Sequence, residues 1–194
     1  MTFSNPYAQA QATGSEYIRM LLDTLADRDP LPIHETTPSK VERAIAELDD
    51  ATLGQPEKPG KWSIAAVIQH LADSELVYGY RLRMILSHPH PDIQSFDQDL
   101  WARELKYSEQ QASDALQDFR TLRAANVRLL RALSPEQLQR WGNHSERGRE
   151  SVERMTQLYA AHDLVHLKQI DRIKTTVTRT EGRKARVGSR RKRK

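Results

Sequence analysis

Seven histidines and no cysteine bound the metal and nucleophile chemistry open to this 194-residue chain. Without a thiol there is no thiolate ligand, no disulfide and no cysteine nucleophile, so a metal ion would rest on imidazole and carboxylate. Spacing singles out two histidines first. In Ser151–Lys174, SVERMTQLYAAHDLVHLKQIDRIK, His162 and His166 stand four residues apart. On a helix such residues have Cβ atoms about 5–6 Å apart, so both imidazoles reach a single ion. They share a stripe with Met155, Tyr159, Gln169 and Ile173, in steps of three and four that place it towards an interior. Buried imidazoles need partners. Ordinary hydrogen bonds meet that need as well as a metal does, so the pair alone leaves both readings open.

A three-ligand site needs another donor from a different element. His34, His88 and His90 fall in proline-rich segments read as loops, and His144 in a polar turn. His70 is different. It lies mid-helix beside the stripe Ile64, Val67, Leu71, Ser74, Tyr78, Arg81 and Ile85. If its helix packs face to face with the late one, His70 can meet His162 and His166 across the core. Three histidines on rigid helices with an open position suit a catalytic rather than a structural metal site. The glutamate of the HExxH zinc-protease motif is absent, since Asp occupies position 163, and this excludes that protease reading.

The elements that must carry these residues are helical. A short amphipathic segment spans residues 15–29, with Ser15 as N-cap and Pro30 ending it; a proline-rich loop covers 30–38. Ser39 and Glu42 read as a capping box opening a helix over 40–53. Long helices follow at 63–88, stopped by HPHP, and at 108–133, capped by Ser108. Ser134-Pro135-Glu136-Gln137 is a helix start, 141–150 a polar turn, and 151–174 the last long helix. Alternating strand patterns are sparse. The expected fold is all-α, an antiparallel four-helix bundle with a long crossover over 88–107.

Length suits one domain, taken as residues 15–176, between a flexible N-terminal tail (1–14) and a basic, disordered C-terminal tail (177–194). The net charge of +4 belongs to that second tail. Residues 179–194 hold nine Lys/Arg and one acid, which leaves 21 basic against 25 acidic residues, a body of −4. The tail could touch nucleic acid weakly through phosphate contacts, though a solubilising terminus is the reading preferred. No apolar run approaches the ~20 residues of a membrane span. The N-terminal MTFSNPYAQAQATG lacks the pattern of a secretory signal, so a cytoplasmic address is expected.

Three segments together resemble the DinB/YfiT-like superfamily of metal-dependent enzymes: GKWSIAAVIQHLADSE at 60–75, SFDQDLWAREL at 95–105 and LYAAHDLVHLKQIDRI at 158–173. The likeness covers most of residues 31–174. It implies a four-helix bundle, often a homodimer, that binds one divalent metal, zinc or nickel, through His70, His162 and His166. Such a site could activate water towards a small-molecule substrate, as in a hydrolase. It could also present a low-molecular-weight thiol, as in an S-transferase, and that thiol must arrive as a cosubstrate. The competing expectation is a non-catalytic metal-binding stress-response module whose basic tail contacts nucleic acid.

For the residues around the metal, Asp73, one turn after His70, is the first candidate for a general base. Glu75, Asp163 and Tyr159 rank below it, each also readable as a solvated charge or a buried hydroxyl. Asp97 and Trp101 could wall the entrance. Arg81 could meet an anionic substrate or pair with an acid.

Overall fold

The computed structural model describes the backbone of residues 14–191 and the side chains of residues 16–179. Its helices are α1 (Gly14–Leu25), α2 (Pro30–Ile45), α3 (Asp50–Leu53), α4 (Ile64–Ser87), α5 (Gln98–Glu104), α6 (Ala112–Arg131), α7 (Pro135–Leu138) and α8 (Val152–Arg191). α2, α4, α6 and α8 form the four-helix bundle. α2 and α4 each pack against both α6 and α8, and α1 lies along α8. The order around the barrel is therefore α4, α6, α2, α8, which sets α4 beside α8. The core is continuous through Val41, Ile64, Val67, Ile68, Phe119, Ile170 and Ile173, all fully buried.

Local chemistry explains the boundaries. Ser63 caps α4 by accepting from the Ala66 amide at 3.2 Å, and Ser134 with Gln137 makes the capping box that opens α7. The expected loop over 30–38 is instead the first half of α2. Asp29 is the N-cap and Pro30 occupies the first turn, where a missing N–H costs nothing. Ser39 is consequently an exposed mid-helix residue rather than a cap, and the helix expected over 40–53 ends at Ile45 and restarts as α3 on its own cap, Asp49. Pro38 does sit inside α2, and it cannot donate to the His34 carbonyl four residues back. That carbonyl accepts from Arg123 of α6 at 2.9 Å. The helix tolerates the proline because a neighbouring helix takes over the freed acceptor.

Further expectations are corrected. The polar turn over 141–150 is an antiparallel hairpin, β2 (Trp141–His144) with β3 (Gly148–Ser151), joined in parallel by a two-residue β1 (Asp92–Ile93) from the crossover. Gly148 supplies the left-handed turn at φ 68°. Gly142 lets β1 approach, since a Cβ there would lie 2.8 Å from the Pro91 carbonyl oxygen. The crossover itself is thus structured, with α5 and a 3-10 turn at Tyr107–Glu109, and α6 begins at Ala112 behind Gln111 rather than at Ser108. The last long helix, expected over 151–174, is α8 and runs from Val152 to Arg191. The flexible N-terminal tail and the nucleic-acid contact of the basic tail concern residues that lie largely outside those described, side chains being given only to residue 179.

Candidate metal centre

α8 carries its stripe as the spacing requires. Met155 and Ile173 are fully buried, His166 and Gln169 nearly so, and Tyr159 and His162 are partly open. His70 projects from the adjoining face of α4 and is 1% exposed. The three imidazoles converge. His162 Nε2 lies 3.0 Å from His70 Nε2 and 3.0 Å from His166 Nε2. Two nitrogens bound to one ion at about 2.1 Å stand roughly 3.0–3.4 Å apart for bond angles between 90° and tetrahedral. Those two spacings sit at the short end of that range, and the ligand atoms of all three lie within 4.8 Å of one another, near enough to converge on a single ion.

Protonation also fits. Burial, followed by His166 and His162, holds His70 well below the ordinary imidazole range; burial and then His162 do the same for His166. Burial, then Arg123, pushes His162 down to about 4. All three are neutral lone-pair donors near pH 7. Gln169 Oε1 lies 2.7 Å from His166 Nδ1, which places that ring's proton on Nδ1 and leaves Nε2 free to coordinate. Trp62, the residue before the α4 cap, packs on His70 with ring centroids 4.9 Å apart and shields it from water.

His70 and His162 open onto a cavity of about 730 Å³. α1 walls it with Tyr17, Ile18 and Leu21, the crossover with residues 95–100 and Arg103, and the hairpin with His144, Glu146 and Arg147. Arg81, Ser74, Leu158 and Tyr159 complete the lining. Asp97 is on this wall while capping α5, and Trp101 packs against the lining residue Phe96 at 4.8 Å. Tyr159 receives a hydrogen bond from Arg81 at 3.1 Å and stacks on Tyr78 at 4.4 Å.

Three sequence candidates are placed elsewhere. Asp73 accepts from Tyr107 at 2.5 Å and from Gln69 at 3.3 Å, and is not among the residues lining the cavity. Its carboxyl is nevertheless raised above the usual range, chiefly by burial. Glu75 and Asp163 are not solvated charges: each is 1% exposed. Arg123 bonds Glu75 Oε2 at 2.8 Å and both Asp163 oxygens at 2.7 and 3.0 Å, while Asn126 bonds Glu75 Oε1 at 2.8 Å. These bonds join α6 to α4 and α8, the two helices that carry the histidines.

Sequence reasoning passed over His144, placed in a polar turn, and the Arg123 network. Gly142 and His144 are the inward positions of β2, an alternation confined to one four-residue strand and too short to be read from WGNH itself.

A family model described as the DinB superfamily matches residues 33–170. The chain belongs to the DinB superfamily. A relative from Bacillus mycoides (strain KBAB4), called a "Putative metal-dependent hydrolase", is 30% identical over 136 residues, which is 70% of this chain and 78% of that protein. A relative of the same description from Bacillus cereus (strain 03BB102) matches with the same identity and coverage. Among solved structures, YfiT from Bacillus subtilis superposes with a TM-score of 0.69 at 25% identity, over 79% of this chain and 86% of that one. It is described as "a probable metal-dependent hydrolase with an unusual four-helix bundle topology". The DinB fold expected from the sequence is the fold observed.

Proposed function

We propose that this DinB-superfamily protein is a metal-dependent hydrolase of small molecules, with one divalent ion held by His70, His162 and His166 at the floor of the cavity. The observation that carries the reading is the convergence of three neutral Nε2 atoms, two of them on the cavity wall. The names borne by the Bacillus relatives point the same way. When bound there, a divalent ion supplies Lewis acidity to a water or substrate oxygen.

The chain's own residues supply position and dryness. Gln169 orients His166, and Trp62, which does not line the cavity, packs on His70. The Arg123 network keeps α4 and α8 in register. Ser74 Oγ, 3.4 Å from His70 Nε2, offers a hydroxyl beside the reacting centre. Asp73, engaged by Tyr107 and Gln69, is assigned the part of anchoring the 3-10 turn to α4.

The test pairs elemental analysis with a screen of ester and amide hydrolysis, run with and without low-molecular-weight thiols. The expected result is one ion per chain, hydrolysis without thiol, and loss of both metal and activity in His70→Ala with helicity kept. Strict dependence of turnover on an added thiol would replace hydrolysis by S-transfer. Metal retained stoichiometrically in His70→Ala would overturn the site.

A further inference from the structure

The cavity has a second pole, away from the three histidines. Arg81 is 4% exposed. One of its Nη atoms donates to Tyr159 Oη at 3.1 Å and the other to the Gln94 carbonyl at 2.5 Å, and its Cζ lies 5.9 Å from the Phe96 ring centre. All three partners are neutral. Among the described residues no carboxylate forms an ion pair with Arg81. The contrast with Arg123, equally buried and matched by two carboxylates, is sharp. A guanidinium largely removed from water without a counter-charge is costly, so an anion brought to it would recover part of that cost.

A second donor stands at the same pole. His144, held in β2 beside β1, is 2% exposed and lines the cavity. Its Nδ1 is 3.2 Å from the Glu146 backbone nitrogen. A backbone amide can only donate, so Nδ1 is the acceptor and the neutral ring carries its proton on Nε2. That Nε2 is buried and has no acceptor among the described residues. His34 Nδ1, Trp62 Nε1, His70 Nδ1 and Asp99 Oδ1 are also buried without a partner among the described residues, but of these nitrogens only those of His70 and His144 belong to residues lining the cavity. Arg147, from the hairpin turn, also lines this end, but Glu150 already engages it at 2.6 and 2.8 Å. Arg81, whose charge meets no carboxylate, and His144, whose Nε2–H meets no acceptor, are therefore the groups left to receive an anion.

We infer that Arg81 and the His144 Nε2–H form a carboxylate subsite, which grips an acidic end of the small-molecule substrate and aims its other end at His70 and His162. Two donors match the two oxygens of a carboxylate. This rests on the cavity being the substrate site proposed above, and makes that substrate an organic acid rather than a neutral ester or amide. It assigns Arg81 and His144 to binding and specificity, with no part in coordination.

The probes are succinate, its uncharged analogue succinamide, and inorganic phosphate, titrated calorimetrically into the full chain and into His166→Ala. His166 does not line the cavity, so that variant removes a metal ligand while leaving the subsite whole. Succinate is expected to bind both proteins at least about ten-fold more tightly than succinamide, and Arg81→Met and His144→Phe to weaken it by about ten-fold or more. His144→Gln, which keeps an N–H donor, is expected to recover part of the loss, and serves if the Phe variant fails to fold. The inference is overturned if succinate does not bind by about 10 mM, if succinamide or phosphate binds as well, or if Arg81→Met binds succinate unchanged. Succinate binding that vanishes in His166→Ala would place the anion on the metal instead, and also overturn it. Failure of the metal reading alone would leave succinate binding intact in every chain but the Arg81 and His144 variants.

Discussion

Arg123→Met tests whether the buried ion network holds the site's helices together. The substitution keeps most of the aliphatic volume and removes four charge-assisted bonds: one to Glu75, two to Asp163 and one to the His34 carbonyl, all between 2.7 and 3.0 Å. Two carboxylates, each 1% exposed, are then stranded, Glu75 with Asn126 as its remaining side-chain partner. Removing one partner of a buried ion pair costs about 3–5 kcal/mol. Here two acids and a carbonyl freed by Pro38 lose the same partner, so the cost should reach or exceed about 5 kcal/mol, against a total stability of about 5–15 kcal/mol. Asp163→Asn is the control. It leaves Arg123 paired with Glu75 as a neutral couple, keeps one hydrogen bond, and should cost about 2 kcal/mol. Urea unfolding of both metal-free variants, followed by far-UV circular dichroism, reads the difference. A loss under about 1 kcal/mol in Arg123→Met, or a larger loss in Asp163→Asn than in Arg123→Met, would refute the reasoning.

Other expectations follow from single observations. Asp73→Asn should retain metal and lose less than about ten-fold in turnover; a drop of 10²–10⁴-fold, the usual range for a general base, would restore Asp73 to the chemistry. Gly142→Ala places a Cβ 2.8 Å from the Pro91 carbonyl oxygen and 2.9 Å from Ile93 Cγ1, and should cost about 1–3 kcal/mol in a thermal melt. An unchanged Tm would show that β1 gives way freely. Burial, reinforced by Arg147 and Arg81, pushes His144 down to about 4 from 6.5. The stability contributed by its neutral form is complete above pH 6.5 and lost as pH falls from 6.5 towards 4. Wild type should therefore lose of order 1–3 kcal/mol more over that interval than His144→Gln, which does not titrate; parallel acid-side curves would contradict this.

The bundle and its histidines were legible because helical periodicity is a strong, repeated signal. Each turn of α4 and α8 restates which face is buried, and His70, His162 and His166 fall on those faces. α2 was hidden by its prolines. Pro30 and Pro32 are compatible with a first turn, and Pro38 needs a carbonyl acceptor to be satisfied from elsewhere, a condition met by Arg123, 85 residues along the chain. The hairpin was hidden by its brevity, since four residues with polar outward positions leave almost no alternation to read. Glu75, Asp163 and Arg123 each look like ordinary helix-surface charges. Only the packing of three helices shows that they neutralise one another in the core, and only the same packing reveals that Arg81 has no such partner.

The central claim is tested most directly by anomalous diffraction from crystals grown with a divalent transition metal. The account predicts one strong peak per chain, about 2.1 Å from Nε2 of His70, His162 and His166, with a coordination position open to the cavity. A peak at other residues, a site closed by a fourth protein ligand, or none beside these histidines would contradict it.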